Sequence, residues 1–222
     1  MKESINNHEL LRVAEEKLRK QKEIRRTILR DSQASSEIDD CLKQSAMLLQ
    51  EFMKPDYRIC EVDAVLKDGV LSIGNCEISE SPLLKAITKN SKFFLYLITL
   101  NYDSEAMMKR LESDYVLYHF QHILGRESLF ALGRNLFDDY SKVYSNLKLK
   151  RHPIKMRKES YEISNTDCNE GEDNYWDPTV VTNLKEYFKG DDMGVQVTPS
   201  GCFSPLQTIL GIMVGNEDAK NL

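Results

Sequence analysis

The chain lacks the short motifs that announce chemistry. It has no C-x-x-C pair, no phosphate-binding glycine loop, no nucleophile elbow and no H-E-x-x-H sequence. Zinc-ribbon, thioredoxin-like, P-loop and zincin chemistry therefore have no support. Five cysteines (Cys41, Cys60, Cys76, Cys168 and Cys202) are scattered and odd in number, the pattern of reduced, mostly buried thiols rather than a disulfide framework. Apolar runs are short. The longest, residues 93–100 and 209–214, fall well below the ~20 residues of a membrane span. Positive charge is not in excess either: 30 Lys and Arg stand against 35 Asp and Glu, a net of −5, whereas a general nucleic-acid binder carries a basic face. The polar residues 1–7 do not resemble a secretory signal. These absences together predict a soluble cytoplasmic chain with no nucleic-acid and no membrane partner.

What is present is ordinary globular composition, 41% hydrophobic and 29% charged over 222 residues, enough for one large domain or two small ones. Asn7 is a candidate cap for a helix reaching Arg30, with Leu11, Ala14, Leu18 and Ile28 as an apolar stripe. The run KLRKQKEIRR on this helix is either a solvated face or a surface for an acidic partner or phosphate. Ser36 and Asp39 have capping-box spacing for a second helix that Pro55 ends. Residues 57–66 and 70–73, joined by Lys67-Asp68-Gly69, predict a hairpin. Ser81-Pro82 opens a short helix to Asn90, and residues 93–100 (FFLYLITL) read as a strand covered on both faces.

Residues 103–147 predict mainly helix, broken near Ser113 and Asp114, with Gly125 and Gly133 positioned for a close backbone approach. Residues 148–175 read as irregular, first cationic and then acidic, and loops of that length are commonly functional or disordered. Asp177 and Pro178 begin a final helix that Gly190 stops. A strand, a turn and a second apolar element close the chain. The fold class is α+β, a mainly antiparallel sheet with packed helices. Residues 1–54 form a helical segment and 55–222 the α+β domain, read as one structural unit. His119 and His122, three apart on a helix, are either a packed pair or the start of a metal site. Cys202, after a glycine in a turn, is either structural or a reactive thiol.

Residues 193–215, MGVQVTPSGCFSPLQTILGIMVG, set Gly194, Val195, Val197, Thr198, Pro205, Thr208, Ile209 and Ile212 in the register of an IGV-x-L-T strand, a turn and a P-x-K-S-V-S-A-I-x-G strand. In this the chain resembles the end of the reactivation domain of cobalamin-dependent methionine synthase, especially its small stand-alone relatives. Gln207 stands where those tend to have Lys. IGNCEISESPLLKAI, FFLYLITLNYDSE with Asp103, the stretch from Asp114 through Gly125, and WDPTVVTNLKEYF follow in the family's order. The resemblance implies an α+β domain that binds S-adenosylmethionine in a shallow groove. Its implied role is to help remethylate cobalamin oxidised to cob(II)alamin. Cobalamin would be met only through a partner, a corrinoid protein or cobalamin-dependent methyltransferase, so the chain would be an accessory rather than a complete enzyme.

The residues that would carry ligand binding by this resemblance are Arg157 for the methionine carboxylate, Tyr161 for stacking, and Asp103 for amino or ribose groups. The chain departs from the family here. Arg157-Lys158-Glu159-Ser160-Tyr161 lacks the family's Pro-Gly, an acidic stretch at 165–174 replaces a compact turn, and Phe130 and Ala131 occupy the place of a helical Glu. A second class of function stays open on these departures: a protein-interaction module that kept the scaffold and lost the ligand.

Overall fold

The computed structural model describes residues 5–79, 81–102, 106, 107, 109, 114–154, 177–190, 193–199 and 201–217. Helix α1 (Asn7–Arg19) is capped by Asn6, whose side chain accepts from the Glu9 N–H. Its apolar stripe ends at Leu18, and the chain turns at Lys20 and Gln21 before α2 (Lys22–Arg30). The expected single helix over 7–30 is therefore two. Helix α3 (Ser32–Phe52) begins four residues before Ser36, because the Asp31 carboxylate accepts from the Gln33 and Ala34 N–H groups and satisfies the free donors of the first turn.

The expected strand over 57–66 is likewise two, belonging to different sheets. Strand β1 (Asp56–Val62) joins the main sheet, whereas β2 (Val65–Lys67) turns through Asp68-Gly69 into β3 (Val70–Ile73), which pairs with β4 (Cys76–Ile78). Both turn residues have positive φ, as the Asp-Gly pair foretold. The predicted helix at 82–90 is the single turn α4 (Ser81–Leu84). Strand β5 (Lys92–Thr99) follows, then the long α5 (Tyr115–Val143) capped by Asp114. The start of the stretch expected to be irregular is a strand, β6 (Leu147–Pro153), whose alternating Leu147 and Leu149 are buried while Lys148 and Lys150 are exposed. Its cations had masked the period-two pattern. Helix α6 (Pro178–Lys185) is capped by Asp177 and continues as a 3-10 turn. A small hairpin of β7 (Gln196–Val197) and β8 (Phe203–Ser204) precedes β9 (Thr208–Glu217). The fold is α+β and its strands pair antiparallel. Arg157, Tyr161, Asp103 and the acidic stretch 165–174 lie outside the described residues.

The main sheet has the order β1-β5-β9-β6. One face carries Phe94, Tyr96, Ile98 and Met213 onto Leu10, Leu18, Leu42, Leu49, Leu132 and Leu136 of the helical layer α1, α3 and α5. The other carries Phe93, Leu95, Leu97, Leu210 and Ile212 onto β3, β4 and α6. In the middle of the sheet Tyr96 faces Gly211, which in turn faces Pro153. The phenol ring fills the space beside the glycine, and a Cβ at 211 would collide with it. Gly211→Ala is expected to lower stability by about 1–3 kcal/mol, read as a fall in the urea midpoint. In a Tyr96→Ala background the same change should cost little, because the colliding ring is gone; equal costs in both backgrounds would refute this account.

Candidate functional site

A cleft of about 320 Å³ opens between the end of α1, the middle of α5 and the helical-layer face of the main sheet. Such a volume lies at the lower end for small-molecule sites. Its floor is Tyr96 and Ile98 of β5, Ile209 of β9 and Pro153 of β6. Phe130, Gly133 and Arg134 come from α5, where residues three and four apart share a face. Arg151 comes from β6 on the same face as Pro153, two residues on along a pleated strand. Lys17 closes the rim from the last turn of α1.

Two missing side chains shape this space. At Gly211 the Tyr96 ring fills the place of a Cβ. At Gly133 a Cβ would stand 3.3 Å from Ile98 Cδ1 and 3.5 Å from Arg151 Nη1, so the glycine lets a guanidinium reach the helix backbone. Arg151 Nη1 donates to the Gly133 carbonyl at 2.7 Å, and its guanidinium lies 4.8 Å from the Phe137 ring centroid. The cation is thereby held in one place, with further N–H donors left over. The Tyr96 phenol stays protonated at physiological pH, since burial raises its pKa against the opposing pull of Arg151.

Lys17 has a partner. Its Nζ is 2.7 Å from Oε2 of Glu127, a carboxylate only 4% exposed, and 5.4 Å from the centroid of Phe130. Arg126 Nη2 stands 3.7 Å from the other carboxylate oxygen, and Gln21 Nε2 donates to it at 3.5 Å. Glu127 thus joins α5 to the end of α1. Arg134 is half-buried and has no acidic partner among the described residues. Among the described residues the site holds three cations, and no carboxylate lines it.

Of the residues singled out in the sequence, Phe130, Gly133 and Ile209 line the cleft. Arg157, Tyr161 and Asp103 lie outside the described residues. Lys17 lies in the cationic run KLRKQKEIRR and Arg151 in the cationic start of 148–175, whereas Arg134 and Tyr96 carry no expectation as site residues. The alternation of Leu147, Leu149 and Arg151 was the signal that could have placed Arg151 on a strand. Around His119 and His122 no group of three metal-ligating side chains gathers among the described residues. His122 instead stands with Nδ1 3.4 Å from Nε2 of the buried Gln207, and Gln121 Nε2 donates to the Tyr102 hydroxyl at 3.1 Å. These contacts tie α5 to the segment entering β9, through Gln207, and to the residues after β5, through Tyr102. Cys41, Cys60, Cys76 and Cys202 are free thiols. Burial raises the pKa of Cys41, Cys60 and Cys76, which makes them poor nucleophiles.

No family model matches the chain, and no curated protein matches it.

Burial, and then the nearby Arg126 and His119, hold the His122 pKa below its ordinary value of 6.5. The unfolded chain therefore binds the extra proton first, and stability falls as pH drops below about 6.5 until the folded-state histidine also titrates. In thermal melts from pH 7.5 to pH 5, His122→Gln should show a shallower loss of Tm than the unmodified chain. An identical slope would remove His122 as the cause.

Proposed function

We propose that the chain is an accessory protein of a corrinoid-dependent methyltransferase system, similar to the S-adenosylmethionine-binding reactivation domain, and supports reductive remethylation of cobalamin held by a partner. The observation that carries the ligand-binding part is the cleft. An anchored guanidinium (Arg151) and one without an acidic partner among the described residues (Arg134) flank an apolar floor beside the exposed ring of Phe130. Arg offers fixed donors to a carboxylate, as on the methionine end of S-adenosylmethionine, and an exposed aromatic ring offers a face to a flat base. The resemblance around residues 193–215 supports the corrinoid context, and the α+β fold is in keeping with it. By the same resemblance Arg157, Tyr161 and Asp103 would complete the ligand's surroundings.

Within this reading the chain binds and positions, and the methyl transfer takes place at cobalamin on the partner. Isothermal titration with S-adenosylmethionine tests it. Saturable heat is expected, with Arg151→Ala weakening binding by about tenfold, the order of one lost charge-assisted contact. Heat indistinguishable from dilution would remove the ligand.

One observation favours the second reading, a protein-interaction module. Lys22, Arg25, Arg26 and Arg30 of α2 are exposed without an acidic partner among the described residues, around Leu29, which is 74% exposed. If this face docks the methyltransferase, complex formation should weaken as salt rises from about 50 to 500 mM, and Arg25→Glu with Arg26→Glu should abolish it. Capture indifferent to salt and to charge reversal would sink the module reading.

A further inference from the structure

The charges around the cleft do not cancel. Lys17 is matched by Glu127 at 2.7 Å. Among the described residues Arg151 is engaged by a neutral carbonyl and a ring, through Gly133 and Phe137. Arg134 lines the same space with no acidic partner among the described residues. Two unmatched guanidiniums thus face a recess whose other walls are Tyr96, Ile98, Phe130, Pro153 and Ile209. Apolar walls of low polarizability concentrate such a field rather than screening it. The Tyr96 hydroxyl adds a neutral group that can donate a proton in a hydrogen bond but carries no negative charge to offset the arginines.

Resting on the reading of this cleft as the ligand seat, we infer that it selects its ligand by charge: it takes a small molecule with an aromatic body and a carboxylate or phosphate, and disfavours one that also carries cations. The guanidiniums supply paired donors to the anion. Phe130, 41% exposed, meets the aromatic body. An ammonium or sulfonium placed in the same recess finds no lining carboxylate among the described residues and faces two arginines. S-adenosylmethionine, with one carboxylate against two cationic centres, is then a poorer fit than S-adenosylhomocysteine, its demethylated product, which has lost the sulfonium charge. Adenosine carrying only an anionic group is a better fit than either.

The test is a titration series on the full chain with four adenosine compounds: S-adenosylmethionine, S-adenosylhomocysteine, adenosine 5′-carboxylate and adenosine 5′-monophosphate. Affinity should rise in that direction of charge, with at least about a tenfold difference between S-adenosylmethionine and the better of the two anions. Comparing the carboxylate with the phosphate identifies which anion the seat prefers. Arg134→Gln should weaken both anions by about tenfold and leave S-adenosylmethionine within about twofold, with an unchanged melting temperature showing that the fold is intact. If S-adenosylmethionine binds as tightly as the anions, the charge selection is wrong while the cleft reading stands. Anion binding that survives both Arg134→Gln and Arg151→Gln lies elsewhere and overturns the inference. Silence from all four compounds overturns the inference and the ligand seat together.

Discussion

Strand β5 has nowhere to meet water beyond its first residue. From Phe93 to Thr99 every side chain is buried, and both backbone edges are occupied, by β1 on one side and β9 on the other. A pleated strand sends alternate side chains to opposite faces, so Phe94, Tyr96 and Ile98 build the helical-side core while Phe93, Leu95 and Leu97 build the other. The two cores are therefore joined through one backbone. A shift of one residue in its register would exchange the two sets and spoil both cores at once.

The cleft is a consequence of the same packing. Where β5 meets β9 and α5, two positions carry hydrogen in place of a side chain. Gly211 admits the Tyr96 ring, and Gly133 admits the Arg151 guanidinium to the helix backbone. A methyl at either position would fill space that the floor and wall of the cleft now use. Lys17 reaches the rim only because α1 is drawn onto α5, by its buried Leu10, Leu11, Ala14 and Leu18 and by the ion pair to Glu127. Removing one partner of such a pair strands a charge in a dry environment. The rim of the site and the seating of the first helix thus share one contact.

Local signals were legible wherever a few neighbouring residues settle the outcome. The Asp68-Gly69 turn, the Asp177-Pro178 helix start and the fully apolar run at 93–100 all appear as the sequence suggested. The misreadings share a physical cause. Residues 57–66 look uniformly β-forming, and nothing local says that Val62 and Val65 enter different sheets. The Lys and Arg residues of β6 obscured a strand whose existence rests on pairing with β9, more than fifty residues later in the chain. The break between α1 and α2 falls at Lys20 and Gln21, where no helix-breaking residue stands.

For the site the division is sharper. Composition and missing motifs excluded several chemistries, and spacing alone put Phe130, Gly133 and Arg134 on one face of a helix, because helical periodicity is a property of adjacent residues. Only tertiary structure decided that this face looks onto Tyr96, Ile98, Ile209 and Arg151, and that Glu127 neutralises Lys17 but neither arginine. Charge balance in a cleft depends on which groups approach within a few ångströms. Residues at positions 17, 96, 134, 151 and 209 acquire that proximity only when the chain closes on itself.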